Sequence, residues 1–115
     1  MAGAGPAASR WSRVLLDDNL PHDLRHFLTG HDTRTAAYMG YAGLKNGELL
    51  ARAASDGLEA LLTMDSGIEY QRKAPPVAVL IVRAKSNTLD DLRPLVPAIL
   101  AALETILPRT VARVG

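Results

Sequence analysis

Two aspartates in this chain each close a short apolar run and precede a stretch that turns helical. Asp17 follows Val14-Leu15-Leu16, and Asp65 follows Leu61-Leu62-Thr63-Met64. Between them, Glu48 stands just after Asn46, at the start of a segment with helical spacing. An apolar run that ends in a carboxylate and passes into a helix reads as the C-terminal end of a strand in a parallel α/β sheet. Ligands bind in the crevice outside such strand ends. Three carboxylates gathered there repel one another, and a divalent cation relieves the repulsion. Oxygen-only ligation selects Mg2+ or Mn2+ over zinc, and Mg2+ keeps several of its waters, so few protein ligands suffice. A metal held in this way polarises a phosphoryl oxygen, orients a water for in-line attack and stabilises the leaving oxyanion. The pattern therefore predicts metal-dependent phosphodiester hydrolysis, with Asp17, Glu48 and Asp65 as catalytic metal ligands.

Each acid also has a plainer use. Consecutive strand residues point to opposite faces, so of Asp17 and Asp18 only one aims into the crevice. Asp18 or Asn19 can cap the next helix, which leaves Asp17 as the ligand, although capping is open to Asp17 as well. Glu48 falls in a first helical turn, where the helix dipole favours a carboxylate in any case. Asp65 can cap a helix that begins at Ser66. Capping gives no reason for all three to converge, and the metal reading requires it.

The elements that would position these groups alternate along the chain. Arg13 to Leu16 reads as a strand. Asn19-Leu20-Pro21 supplies a cap and a first-turn proline for a helix ending near Thr29-Gly30. His31 to Ala36 reads as a partly polar strand near an edge, and Tyr38 to Gly43 as a glycine-punctuated loop. Asn46 is expected to cap a helix with apolar positions Leu49, Leu50, Ala53 and Ala54 that stops before Gly57. Ala60 to Met64 reads as a strand, Ser66 to Lys73 as a short helix, and Val77 to Val82 as a fully buried strand. Ser86-Asn87-Thr88 offers caps for a helical region from Leu89 to Leu107, which Pro94 and Pro97 split. Thr110 to Val114 closes the series. Alternation of this kind predicts an α/β three-layer sandwich around a mostly parallel sheet of about five strands.

Composition sets the outer bounds. The chain has 115 residues, read as one domain over residues 13–115 behind a flexible arm at 1–12. Hydrophobic residues make up 48% and aromatics 4%, so the core is aliphatic, as in sheets covered by helices. The formal net charge of +1 is too small for bulk charge to argue nucleic-acid binding, which would need a local patch. Cysteine is absent, which removes disulfides and thiolate metal sites and agrees with a cytoplasmic home. The run from Val77 to Val82 is far short of the roughly 20 apolar residues of a membrane span. The opening stretch has neither a charged segment nor a leucine-rich one and does not read as a signal peptide.

Several stretches together resemble an uncharacterised bacterial family of short PIN-like proteins. They are Leu15-Leu16-Asp17-Asp18-Asn19-Leu20-Pro21, Met39 through Leu50, Leu61-Leu62-Thr63-Met64-Asp65, Ala84-Lys85-Ser86-Asn87 and Leu92-Arg93-Pro94-Leu95-Val96-Pro97. The resemblance implies a PIN-like fold and kinship with the Mg2+-dependent ribonuclease toxins of toxin–antitoxin pairs. With that kinship come single-stranded RNA as substrate and a small antitoxin protein as partner. On the family pattern Asp17 matches the first-strand aspartate, Glu48 the helix glutamate and Asp65 the later strand-end aspartate. Fuller PIN enzymes carry a fourth polar or acidic position, for which Glu69, or Ser66 as a substitute, is the candidate here. Because kinship of fold does not transmit activity, a catalytically silent module that binds protein or nucleic acid is the alternative. A receiver-like phosphoacceptor domain, with Asp65 as the phosphorylated residue, is a further one. Against it stand the short connection from Ser66 to Pro76 and an arginine, Arg113, where a lysine–proline pair would be expected.

Other side chains have two readings each. Tyr38 and Tyr41 can stack on unpaired bases or anchor their loop against the sheet. Arg72, Lys73, Arg83 and Lys85 can form a basic rim for phosphates or a solvated edge. His22 and His26 stand four apart, a spacing open to zinc, but no third ligand accompanies them. The aliphatic stripe from Val96 to Leu107 is core, with a spare face for a homodimer or an antitoxin.

Overall fold

A computed structural model of the protein describes residues 13–67 and 74–115. The expected arm at 1–12, most of the expected helix after Ser66, and the candidate residues Glu69, Arg72 and Lys73 lie outside the described residues. Five strands, β1 (Arg13–Leu16), β2 (Asp32–Thr35), β3 (Ala60–Thr63), β4 (Ala78–Val82) and β5 (Val111–Val114), form one sheet. Their order is β2-β1-β3-β4-β5, and every neighbouring pair is parallel. The helices are α1 (Asn46–Ser55), α2 (Leu89–Leu92) and α3 (Val96–Thr105), with 3₁₀ turns at His22–Phe27 and Arg93–Leu95.

Burial follows from this order. β1, β3 and β4 have neighbours on both sides and helices on both faces, so Val14-Leu15-Leu16, all of β3 and all of β4 are buried. Their near-continuous apolar sequences are what central parallel strands require. The edge strands β2 and β5 are mixed and more exposed. Alternation along each strand divides the core in two. Val14, Leu16 and Leu62 pack on one face with Leu24, Leu92, Ile99 and Leu103. Leu15, Leu61 and Val79 pack on the other with Tyr41, Leu49, Leu50 and Ala53 of the α1 side. The result is the three-layer α/β architecture expected from the pattern.

The local departures have local causes. The segment after Pro21 forms a 3₁₀ turn, and no side chain caps it. Asn19, the expected cap, uses its side chain elsewhere, as described below. The 3₁₀ geometry of three residues per turn sets His22 and His26 about a third of a turn apart, not on one face, and both are exposed. The first turn of α1 closes on the Lys45 carbonyl, which accepts from Glu48 N (2.9 Å) and Leu49 N (3.3 Å). The helix thus begins at Asn46, with Lys45 at the capping position. Pro94 falls in the 3₁₀ turn, and Pro97 lies in the first turn of α3, where a missing N–H loses no bond.

Candidate functional site

In the order β2-β1-β3-β4-β5 the chain leaves β1 in one direction to build β2. It then returns across β1 to build β3, β4 and β5 on the other side. The direction of winding therefore reverses between β1 and β3, and the carboxyl ends of those two strands flank the crevice where sheets of this kind bind ligands. Asp17 follows β1, and Thr63 closes β3. The register pairs Leu16 with Leu62, so the next position sets Asp17 opposite Thr63. Asp17 N donates to the Leu62 carbonyl at 3.0 Å, continuing the ladder one step. Thr63 shares its strand parity with Leu61, which faces α1.

The Thr63 hydroxyl is fully buried and forms the hub of a polar network. It donates to Asp17 Oδ2 at 2.7 Å. It accepts from the Asp65 backbone N–H at 3.0 Å and from Asn19 Nδ2 at 3.2 Å. Asn19 Nδ2 also reaches Asp17 Oδ2 at 3.4 Å, and Asn19 Oδ1 accepts from Met64 N at 3.2 Å. A side chain that reads as a helix cap is thus a strap between the ends of β1 and β3. Asn87, in the loop after β4, donates to the Asn19 carbonyl at 3.3 Å and ties a third strand end to the same place. Beyond it, Ser86 Oγ donates to Asp91 Oδ2 at 2.6 Å, and Thr88 caps α2.

Two of the three expected acids are brought to this crevice. Asp17 is half-buried, and its Oδ1 accepts from Asp18 N at 2.8 Å. Asp65 is exposed, and its Oδ1 accepts from Gly67 N at 2.9 Å, which is the capping role open to it from the sequence. A Cβ on Gly67 would stand 3.1 Å from that oxygen, so the turn fits closely around the carboxylate. Glu48 lies exposed in the first turn of α1, on the helix that covers the same sheet face. Among the described residues, no three His, Cys, Asp or Glu side chains form a group that could hold a metal ion. The geometry joins the Asp17 carboxylate and the Asp65 backbone N–H through the Thr63 hydroxyl.

The remaining candidates separate. Tyr41 does not offer its ring to a base, because it is 1% exposed in the α1-side core. Its hydroxyl donates to Asp56 and lies 3.4 Å from the Arg52 carbonyl. Burial first, and the bond to Asp56 second, push this phenol up to about 12. Tyr38 is 74% exposed. Arg83 and Lys85 are exposed at the end of β4 and line a cavity of about 340 Å3 together with Asp90 and Asp91, so acidic groups share that rim. Among the described residues, no helix is long and apolar enough to cross a membrane.

Thr63 and the strapping use of Asn19 escape a sequence reading centred on acids. The signal that could have found them is the single hydroxyl in an otherwise aliphatic strand, two positions before an aspartate. When the chain is compared with known proteins, no family model, no curated protein and no solved structure matches it.

Proposed function

We propose that the crevice between the ends of β1 and β3 is a Mg2+- or Mn2+-dependent phosphodiester-hydrolysing site, and that the protein is a ribonuclease acting on single-stranded RNA. The observation that carries this reading is the Asp17 carboxylate held by a buried hydroxyl that also takes the Asp65 backbone N–H, at the point where the sheet reverses its winding.

The donor chemistry fits a hydrated divalent ion. A carboxylate has about four lone-pair positions, and Asp17 receives three bonds, from Asp18 N, Asn19 Nδ2 and the Thr63 hydroxyl. All three donors are neutral, so they orient the carboxylate without cancelling its charge. Asp65 Oδ2 accepts no hydrogen bond among the described residues. Mg2+ is commonly held by one or two carboxylates and its own waters, so Asp17 and Asp65 would hold it here. When bound, the ion supplies Lewis-acid stabilisation of phosphoryl charge and an activated water. The chain's own part is to fix the Asp17 carboxylate through Thr63 and Asn19 and to tie the Asp65 backbone to the same hydroxyl. Glu48, matched by the resemblance to the helix glutamate, acts from the α1 side.

The test is cleavage of single-stranded RNA by the purified protein with Mg2+ or Mn2+. Asp17→Asn and Asp65→Asn are expected to abolish metal-stimulated cleavage while leaving circular dichroism unchanged, and Glu48→Gln to lower it. The catalytically silent module is the second reading, favoured by the engagement of both Asp17 Oδ1 and Asp65 Oδ1 with local backbone N–H groups. No cleavage and no Mn2+ binding by the unmutated protein would decide for that module.

A further inference from the structure

The 3₁₀ turn at His22–Phe27 and strand β2 enclose a groove of about 640 Å3, lined by His22, Arg25, Asp32, Arg34, Thr35 and Tyr38 among others. Among the described residues β2 is an edge strand, paired only with β1. The register sets Thr35 beside Leu16, and Ala36 N donates to the Leu16 carbonyl at 2.9 Å. Ala36 therefore sits one strand spacing, about 4.8 Å, from Asp17.

The lining combines a flat ring with excess cationic charge. Tyr38 has its backbone N–H held by Thr35 Oγ1 at 3.0 Å while its side chain is 74% exposed. The Arg34 guanidinium lies 5.8 Å from the centre of that ring. Both ends of the Arg34 fork are fixed by Asp32, at 3.3 and 3.1 Å, so the Arg34 charge is largely offset. Arg25 is exposed on the opposite wall, with Nη1 donating to the His22 carbonyl at 2.9 Å. Two arginines against one aspartate leave the groove positive even with His22 neutral. An exposed tyrosine in a groove that also carries an exposed arginine is how single strands are held without regard to sequence, through the π-face of a base and through backbone phosphate. A duplex keeps its base faces covered and cannot use the ring.

We propose that this groove binds a segment of single-stranded nucleic acid, with a base stacked on Tyr38 and a phosphate at Arg25. As an account of how a ribonuclease substrate is held, the proposal rests on the preceding reading. As a binding site it needs no metal, so the two are tested apart. Binding of a short fluorescein-labelled single-stranded RNA is followed by anisotropy in EDTA across a salt series. Tyr38→Ala is expected to weaken binding about tenfold or more, and Tyr38→Phe to retain it. Arg25→Gln is expected to reduce the magnitude of the slope of log K against log salt by about 0.7. Both positions are exposed, so neither change threatens the fold. No binding by the unmutated protein, equal binding by Tyr38→Ala, or equal affinity for duplex RNA overturns the proposal. Lost cleavage with this binding intact overturns the ribonuclease reading alone.

Discussion

The Thr63 hydroxyl has no contact with solvent, yet it makes three hydrogen bonds, and each bonds a different part of the crevice. A buried polar group is costly when its partners are lost, so Thr63 is placed to fix where Asp17 and Asp65 stand. Thr63→Val keeps the shape and removes the donor and the acceptor together. It is expected to cost about 1–3 kcal/mol of stability and to weaken Mn2+ binding about tenfold or more, as loss of a ligand's supporting bond does. Thr63→Ser keeps the hydroxyl and should restore most of the Mn2+ affinity. Urea unfolding and Mn2+ titration of the two variants separate the effects. Equal Mn2+ affinity in Thr63→Val and the unmutated protein would show that the hydroxyl does not position a metal ligand. The acids were legible in the sequence because an aspartate after an apolar run is conspicuous. Thr63 was not, because a threonine inside a strand is ordinary until the register sets it opposite Asp17. Tyr41 stayed open between two readings for a related reason: a loop tyrosine looks the same whether its ring is offered to a base or, as here, folded into the core.

At the scale of elements, the sequence was most informative where one interaction dominates. β1 begins and ends where the patterning puts it, and α1 stops before Gly57 as expected while starting one residue early, because apolar burial and a glycine stop both act locally. The end of α1 shows the second effect. Gly57 has φ of 83°, its N–H donates to Ala54 O at 3.2 Å, and Leu58 N donates to Ala53 O at 2.9 Å. That pair of bonds satisfies the last carbonyls of the helix and turns the chain toward β3. The 3₁₀ turn after β1 was not legible, because it depends on Asn19 being drawn across to Thr63 and Met64, residues more than forty positions away. Two glycines of α1 and its cap are expected to respond with opposite sign. Gly57→Ala forces an L side chain into the left-handed region, costing about 1–2 kcal/mol, and its Cβ would also displace the mobile end of Arg13. Gly47, in the first turn with open space around it, should gain up to about 1 kcal/mol on substitution by alanine. Thermal unfolding of both variants checks this, and a shift of the same sign in both would refute the cap assignment.

Across the whole molecule, one buried aromatic residue adds a polar tie to the apolar packing that joins the α1 layer to the sheet. Tyr41 packs against Leu15, Leu61 and α1 in one cluster, and its hydroxyl reaches Asp56 at the far end of α1. The loop after β2, the helix and the centre of the sheet are thereby fastened together. The fold favours the neutral phenol, whose folded value of about 12 exceeds the ordinary value near 10. A raised value means that the contribution to stability is whole below about pH 10. It declines as the unfolded chain ionises first, and it is lost as pH rises through about 12. Tyr41→Phe keeps the ring in the core and deletes the hydroxyl. Asp56 is exposed and can turn to water, so the cost at neutral pH is expected to be about 1 kcal/mol. The variant cannot ionise at this position, and its stability should therefore fall less steeply between about pH 10 and 12 than that of the unmutated protein. Urea midpoints measured through that window should converge. Two curves that stay parallel throughout would mean that the buried phenol is not what couples the α1 layer to pH.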